Sequence, residues 1–259
     1  MKLICPNCGK PLSRTGRSAV CENRHCFDYA KSGYLNLLGP QKKDPGDNAE
    51  MVKARTAFLS TGAYAFLRET IRQMLESEPV QVFADLGCGE GYYTSACPGE
   101  EKYGFDLSRP AVNYAAKHDP SASYVIASIF HLPLPDESCD AAMTCFAPAA
   151  ADEIHRILKP GGRFVFVQPA EDHLFELKQV LYDTPYQNTV TPPALPLKEE
   201  SCTMIRNTFT ADRTALHALF QMTPYAYHTS TDGIERLNRI GSLQITASFA
   251  VRLYRRESN

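Results

Sequence analysis

Residues 80–91 run from an apolar stretch, Val80-Gln81-Val82-Phe83-Ala84, straight into Asp85-Leu86-Gly87-Cys88-Gly89-Glu90-Gly91. This junction restricts the fold more tightly than any other part of the chain. A short apolar run bounded by turn residues reads as a buried strand. Three alternate glycines supply a turn whose backbone can adopt left-handed angles and approach a ligand closely. Fifteen residues beyond Gly91, Tyr103-Gly104-Phe105-Asp106 brings a second strand to an end on a carboxylate. A carboxylate there can accept both hydroxyls of a ribose. Further on, Leu158-Lys159-Pro160-Gly161-Gly162 stops a helix ahead of the strand Phe164-Val165-Phe166-Val167. These signals in this order predict an α/β, Rossmann-like fold with a nucleoside site at the glycine turn.

The rest of the pattern agrees. Strands are expected near 80–86, 102–106, 123–127, 140–146 and 163–168, with helices near 90–97, 109–117 and 149–158. This alternation demands a parallel sheet covered on both faces. Helices at 49–60 and 64–76 precede it, and Leu67, Ile71, Met74 and Leu75 give the second a buried stripe. A helix over 172–182 is stopped by Thr184-Pro185, and a proline-rich loop follows. Strand 202–209, helix 211–221 and strand 244–254 would then add an antiparallel hairpin to the sheet edge. The expected organisation is a cysteine-rich unit at 1–38, a linker with helices at 39–78, and the sheet domain at 79–259. No apolar run approaches a membrane span and the amino terminus lacks a signal-peptide core, so the expected location is cytoplasmic.

Four of the nine cysteines fall in the first 26 residues. In a reducing compartment such clustering points to metal rather than disulfides. Cys5-Pro6-Asn7-Cys8 is a knuckle, followed after twelve intervening residues by Cys21 and then by His25 and Cys26. Either Cys5, Cys8, Cys21 and His25 or the same three thiols with Cys26 would make a tetrahedral Zn2+ site, and spacing does not choose between them. A unit of this size has too little core to fold alone, so a metal staple is physically sensible. Four protein ligands would close the coordination sphere and make the zinc structural. Charge is uneven as well: residues 1–55 carry an excess of five positive charges, whereas the whole chain has a net charge of −2. A basic appendage bearing Arg14, Arg17 and Arg24 on an acidic domain suits a polyanion.

The order acid-x-Gly-x-Gly-x-Gly, with Asp106 following, resembles motif I of S-adenosylmethionine (SAM)-dependent methyltransferases and fits a dinucleotide fingerprint less well. Over nearly its whole length the chain resembles the bacterial 23S rRNA (guanine-N1) methyltransferases of the RlmA type. The resemblance is carried by Cys5-Pro6-x-Cys8, Cys21-x-x-x-His25, Gly33-Tyr34-x-Asn36-Leu37-Leu38, Asp44-Pro45-Gly46-Asp47, Ala49-Glu50-Met51, the glycine turn continuing into Tyr92-Tyr93-Thr94, Ala147-Pro148, Lys159-Pro160-Gly161-Gly162, His173-Leu174-x-Glu176-Leu177-Lys178 and Gln221-Met222-Thr223-Pro224. It implies a class I SAM methyltransferase with a small N-terminal zinc-binding domain. It further implies a homodimer gripping a 23S rRNA hairpin, with a target guanine in the loop of helix 35. The family's fourth zinc ligand falls on His25, and the resemblance also places Tyr64 and His173 near the cofactor. Two departures stand out: Cys26 adds a thiol beside His25, and Ser128 replaces the acid that many methyltransferases set beside adenine.

Within that frame Gly87, Gly89 and Gly91 would hold the methionine part of SAM and Asp106 the ribose. Glu90 would orient the cofactor's polar groups, and Asp85 would organise the turn or receive the methionine amino group. Guanine N1 carries a proton at neutral pH, so a base or a water path should take it. Cys145-Phe146-Ala147-Pro148 offers no carboxylate, and no base is named. Phe146 reads either as a stacking surface for a flipped guanine or as core. Two other functions compete: a small-molecule SAM methyltransferase with an accessory zinc module, and a non-catalytic zinc-dependent RNA-binding protein. The basic module argues against the first, the intact glycine turn and Asp106 against the second.

Overall fold

The computed structural model describes residues 3–39 and 46–258. Lys2, Lys42, Lys43, Asp44 and Pro45, which entered the sequence argument, lie outside them. The N-terminal unit forms a small antiparallel sheet of β1 (Ser13–Thr15), β2 (Ser18–Val20) and β3 (Cys26–Asp28), followed by β4 (Leu35–Asn36). Helices α1 (Ala49–Leu59) and α2 (Ala65–Glu76) come next. The sheet domain continues with β5 (Val82–Leu86), β6 (Glu101–Asp106), α3 (Arg109–His118), β7 (Ser123–Ile126), β8 (Cys139–Cys145), α4 (Ala151–Ile157) and β9 (Leu158–Pro169). The chain ends with α5 (Phe175–Leu181), β10 (Lys198–Asp212), α6 (Arg213–Gln221), α7 (Thr231–Arg239) and β11 (Ser242–Arg255).

The large sheet runs β10-β11-β9-β8-β5-β6-β7-β4. It is parallel from β9 to β4, and the β10–β11 hairpin pairs antiparallel beside β9. Alternation explains its two cores. In β5, Phe83 faces α2, α5 and α6, packing with Leu67, Ile71 and Leu177, while Ala84 and Leu86 face α4 with Ile154 and Ile157. Each fully buried Leu, Ile or Phe stabilises the fold by about 1.5–3 kcal/mol. Arg163 is also buried, and its guanidinium donates to the carbonyls of Leu75 (3.1 Å) and Glu78 (2.9 Å), satisfying the orphan acceptors at the end of α2.

The N-terminal unit is built into this architecture. Leu35 and Asn36 of β4 pair in parallel with Val125 and Ile126 of β7, so the unit supplies the terminal strand of the sheet. Cys5, Leu12, Ala19 and Leu35 share one apolar cluster with Leu86, Phe105 and Val125. The sequence gives no sign of this pairing, because β4 is two residues long.

One expected helix is absent, and one observed helix was not expected. In place of a helix over 90–97 there is one 3-10 turn at Thr94–Ala96. Gly91 takes φ +81°, which no right-handed helix accommodates, and Pro98 follows directly on Cys97. Helix α7 was not anticipated: it buries only Gly233 and Leu237, too sparse a stripe to read. Among the described residues no helix is long and apolar enough to cross a membrane.

Candidate metal centre and active site

The N-terminal knuckle is closed by backbone hydrogen bonds. The Gly9 amide donates to the Cys5 carbonyl at 2.8 Å and the Cys5 amide to the Lys10 carbonyl at 2.8 Å. A second turn follows Cys21, whose amide donates to the His25 carbonyl at 3.1 Å. The two turns bring Cys5, Cys8, Cys21 and His25 together, with all four ligand atoms within 4.8 Å of one another. Cys5 Sγ and Cys21 Sγ each lie 3.4 Å from His25 Nδ1, and Cys8 Sγ lies 3.7 Å from Cys21 Sγ. A tetrahedron with Zn–S near 2.3 Å has S–S edges of about 3.8 Å, so the residues fit Zn2+. Cys26, exposed on β3, is not in the group. The Lys10 backbone N–H leads the effects that pull the Cys8 thiol down to about 6, favouring the thiolate.

The glycine turn sits at the carboxyl ends of β5 and β6. A side chain at Gly87 (φ +84°) would meet the Ala147 methyl at 2.6 Å, and one at Gly91 would strike the Tyr124 hydroxyl. Asp106 accepts from the Gly89 amide at 2.9 Å through one oxygen and from the Ser108 amide at 2.7 Å through the other. Burial raises its pKa against those two hydrogen bonds. Asp85 is wholly buried. One oxygen accepts from the Thr94 hydroxyl at 2.5 Å, and the other, Oδ1, has no partner among the described residues. Burial pushes the Asp85 carboxyl up to about 7. An orphaned carboxylate oxygen beneath a close-approach turn fits a cofactor that brings a cationic donor, as the ammonium of SAM does.

One functional group escapes sequence reasoning. Arg55 of α1 donates through Nε to Glu90 Oε2 at 2.5 Å and through Nη1 to Asp47 Oδ2 at 2.6 Å. Burial works against its charge, but Glu90 and Asp47 outweigh it and raise its pKa. The Ser108 hydroxyl donates to the Asp47 carbonyl at 2.7 Å. Glu90, expected to face the cofactor, is therefore tied to α1. No local pattern links three residues so far apart in sequence.

Tyr64 and His173 do come together, with Tyr64 Oη 3.3 Å from His173 Nε2. The Ser248 amide donates to His173 Nδ1 at 3.2 Å. Burial, with Lys178 nearby, lowers the imidazole to about 3, so it is neutral. Its one proton then sits on Nε2 and is donated to Tyr64, whose own hydroxyl hydrogen remains available as a donor. Both residues line a cavity of about 380 Å³ shared with Arg55, Tyr93, Phe146 and Tyr225. Asp47 is the one carboxylate among the described lining residues.

Residues 3–45 match the family described as "RlmA, N-terminal", a zinc ribbon, and residues 84–166 match the one described as "Methyltransferase domain". A 23S rRNA (guanine(748)-N(1))-methyltransferase from Streptomyces fradiae is 34% identical over 267 residues, spanning 96% of this chain and 95% of that protein. The chain belongs to the 23S rRNA (guanine-N1)-methyltransferase family. It is a SAM-dependent methyltransferase with an N-terminal zinc ribbon. A malonyl-[acyl-carrier protein] O-methyltransferase from Yersinia pestis is 33% identical over 107 residues, only 38% of this chain. Among solved structures, the YcgJ protein from Bacillus subtilis superposes with a TM-score of 0.53 at 14% identity, covering 74% of this chain and 98% of its own, a likeness of fold alone.

Proposed function

We propose that this protein transfers the methyl group of SAM to N1 of a guanine in 23S rRNA, in the hairpin loop of helix 35. One observation carries the reading. The likeness to the Streptomyces fradiae protein spans 96% of the chain, ribbon included, whereas the likeness to a carrier-protein O-methyltransferase spans 38%. A small-molecule methyltransferase has no need of the basic ribbon. An RNA enzyme does, because a cofactor pocket is too small to select one guanine in a ribosomal RNA, and a surface must read the folded hairpin.

In this reading Cys5, Cys8, Cys21 and His25 hold one structural Zn2+, which fixes a surface exposing Arg14, Arg17 and Arg24 to phosphates. Gly87, Gly89 and Gly91 cradle the methionine part of SAM. Asp106 takes the ribose hydroxyls, and Asp85 Oδ1 receives the ammonium. SAM, when bound, supplies a sulfonium-activated methyl. The chain's own task is alignment and exclusion of water. Tyr64 serves as a donor into the cavity, held in that role by a neutral His173. Glu90 acts through Arg55, keeping α1 beside the turn. A homodimer, working in the cytoplasm where ribosomal RNA is found, completes the proposal.

The test is nucleoside mapping of 23S rRNA from cells with and without the gene, backed by transfer of labelled methyl from SAM by the purified protein. The expected product is 1-methylguanosine, with position 748, the number in the relative's name, as the first site to check. Label entering a small metabolite instead would overturn the proposal.

A further inference from the structure

We propose that Phe146 is the platform on which the acceptor guanine stacks, an inference that rests on the guanine reading above. Phe146 is the first residue beyond β8 and has φ +63°, in the left-handed region that bulky side chains rarely occupy. Such an angle is unfavourable and persists only where the surroundings impose it. Phe146 is 45% exposed, whereas Met143, Thr144 and Cys145 just before it are buried.

The angle has an identifiable product. The Phe146 amide still donates to the Val167 carbonyl at 3.1 Å, but Ala147 turns onto Gly87. Ala147 thereby packs beneath the glycine turn while the Phe146 ring lines the cavity with Tyr64, Pro169 and His173. Aromatic neighbours fix the ring. Phe249 lies 5.4 Å away between centroids, and Tyr93 meets it in a T-shaped contact at 6.3 Å. Glycine would make the same turn without strain, but it would supply no ring.

The reaction explains what such a ring could do. N1 lies on the Watson–Crick edge of guanine, so the base must be unpaired or turned out before it can be methylated. Once the N1 proton has passed to water or a base, the electrons that attack lie in the plane of the base, so that edge must face the methyl donor. The edge cannot also be gripped closely at the reacting atom, whereas the π-face can be held without touching N1. An aromatic ring fixed at the end of the strand next to β5, with a cavity of about 380 Å³ in front of it, meets that requirement.

The experiment compares wild type with Phe146→Ala, Phe146→Gly, Phe146→Tyr and Phe146→Trp. It measures methyl transfer to a hairpin RNA, SAM affinity by calorimetry and thermal midpoint. The alanine and glycine variants should lose ~5- to 150-fold in kcat/KM, the range that base–aromatic stacking supplies. SAM affinity should be unchanged, and the aromatic variants should retain most activity. Phe146→Gly should melt above Phe146→Ala, since glycine relieves the left-handed strain that alanine keeps, while both lose the same activity. Activity then follows the ring and not the stability, which a core role would not produce. If wild type forms 1-methylguanosine and the alanine variant does so at the same rate, the platform is wrong and the guanine reading stands. If wild type labels something other than guanine, the parent reading falls and guanine falls with it as the occupant.

Discussion

The zinc ribbon and the central sheet reach order by different routes. In the ribbon β1, β2 and β3 hold three residues each, and few apolar side chains are buried there beside Cys5 and Cys21. In the sheet, β8 and β9 are buried along most of their length, and helices cover both faces. The sheet can offset the entropy of its chain by burial, and the ribbon cannot. A structural zinc contributes an apparent ~10–16 kcal/mol to such units. One part of the molecule is therefore held by an ion that can be removed, the other by packing that cannot.

The largest effect should come from breaking that contrast at its source. Cys8→Ser should lose its zinc and expose the amides of residues 3–28 to hydrogen exchange, while SAM still binds. Cys26→Ser should keep its metal, because Cys26 stands outside the ligand group. Elemental analysis with exchange mass spectrometry checks both. A Cys8→Ser protein that retained full zinc would remove the distinction between the two regions.

A smaller effect concerns a place where the sheet is not optimised for its own stability. Burial raises the Asp85 carboxyl from 3.8 to about 7, so its contribution is intact below about pH 4 and is lost as pH climbs through 7. The cost of ionising it above pH 7 is on the order of 4 kcal/mol. Asp85→Asn should therefore raise the melting temperature of the SAM-free protein at pH 8 but not at pH 4, and weaken SAM binding. Equal shifts at both pH values would show that the aspartate's charge is not the cause. The smallest effect should come from Asp106→Ala. It should weaken SAM binding by about 1.5–3 kcal/mol, the scale of a hydrogen bond to a charged group, and leave zinc content unchanged. Calorimetry showing full affinity would remove Asp106 from the ribose role.

Legibility in the sequence followed locality. The glycine turn, the acid ending β6 and the stripe of α2 each declare themselves within a dozen residues, because close approach, strand-end position and 3.6-residue periodicity are local properties. The cysteine spacing likewise carries the geometry of the knuckles. The Asp47–Arg55–Glu90 bridge was not legible, since ion pairs between a loop, a helix and a turn leave no periodic trace. The choice between His25 and Cys26 was a matter of which way two adjacent side chains point. That depends on the turn closed by Cys21 and His25, a backbone detail that spacing does not encode.

The pairing of β4 with β7 also decides how this sheet can meet others. An uncovered strand is a template for another chain. At the β7 end the template is occupied by β4, and the Tyr29–Leu35 bridge covers β4 in turn. At the opposite end β10 runs for 15 residues with its outer side free of any other described strand. A sheet open at both ends could add copies without limit. One open at a single end can join edge to edge with one other copy and then stops. Any growth by strand addition at β10 would therefore stop at two molecules, a ceiling set by the ribbon at the far side of the sheet.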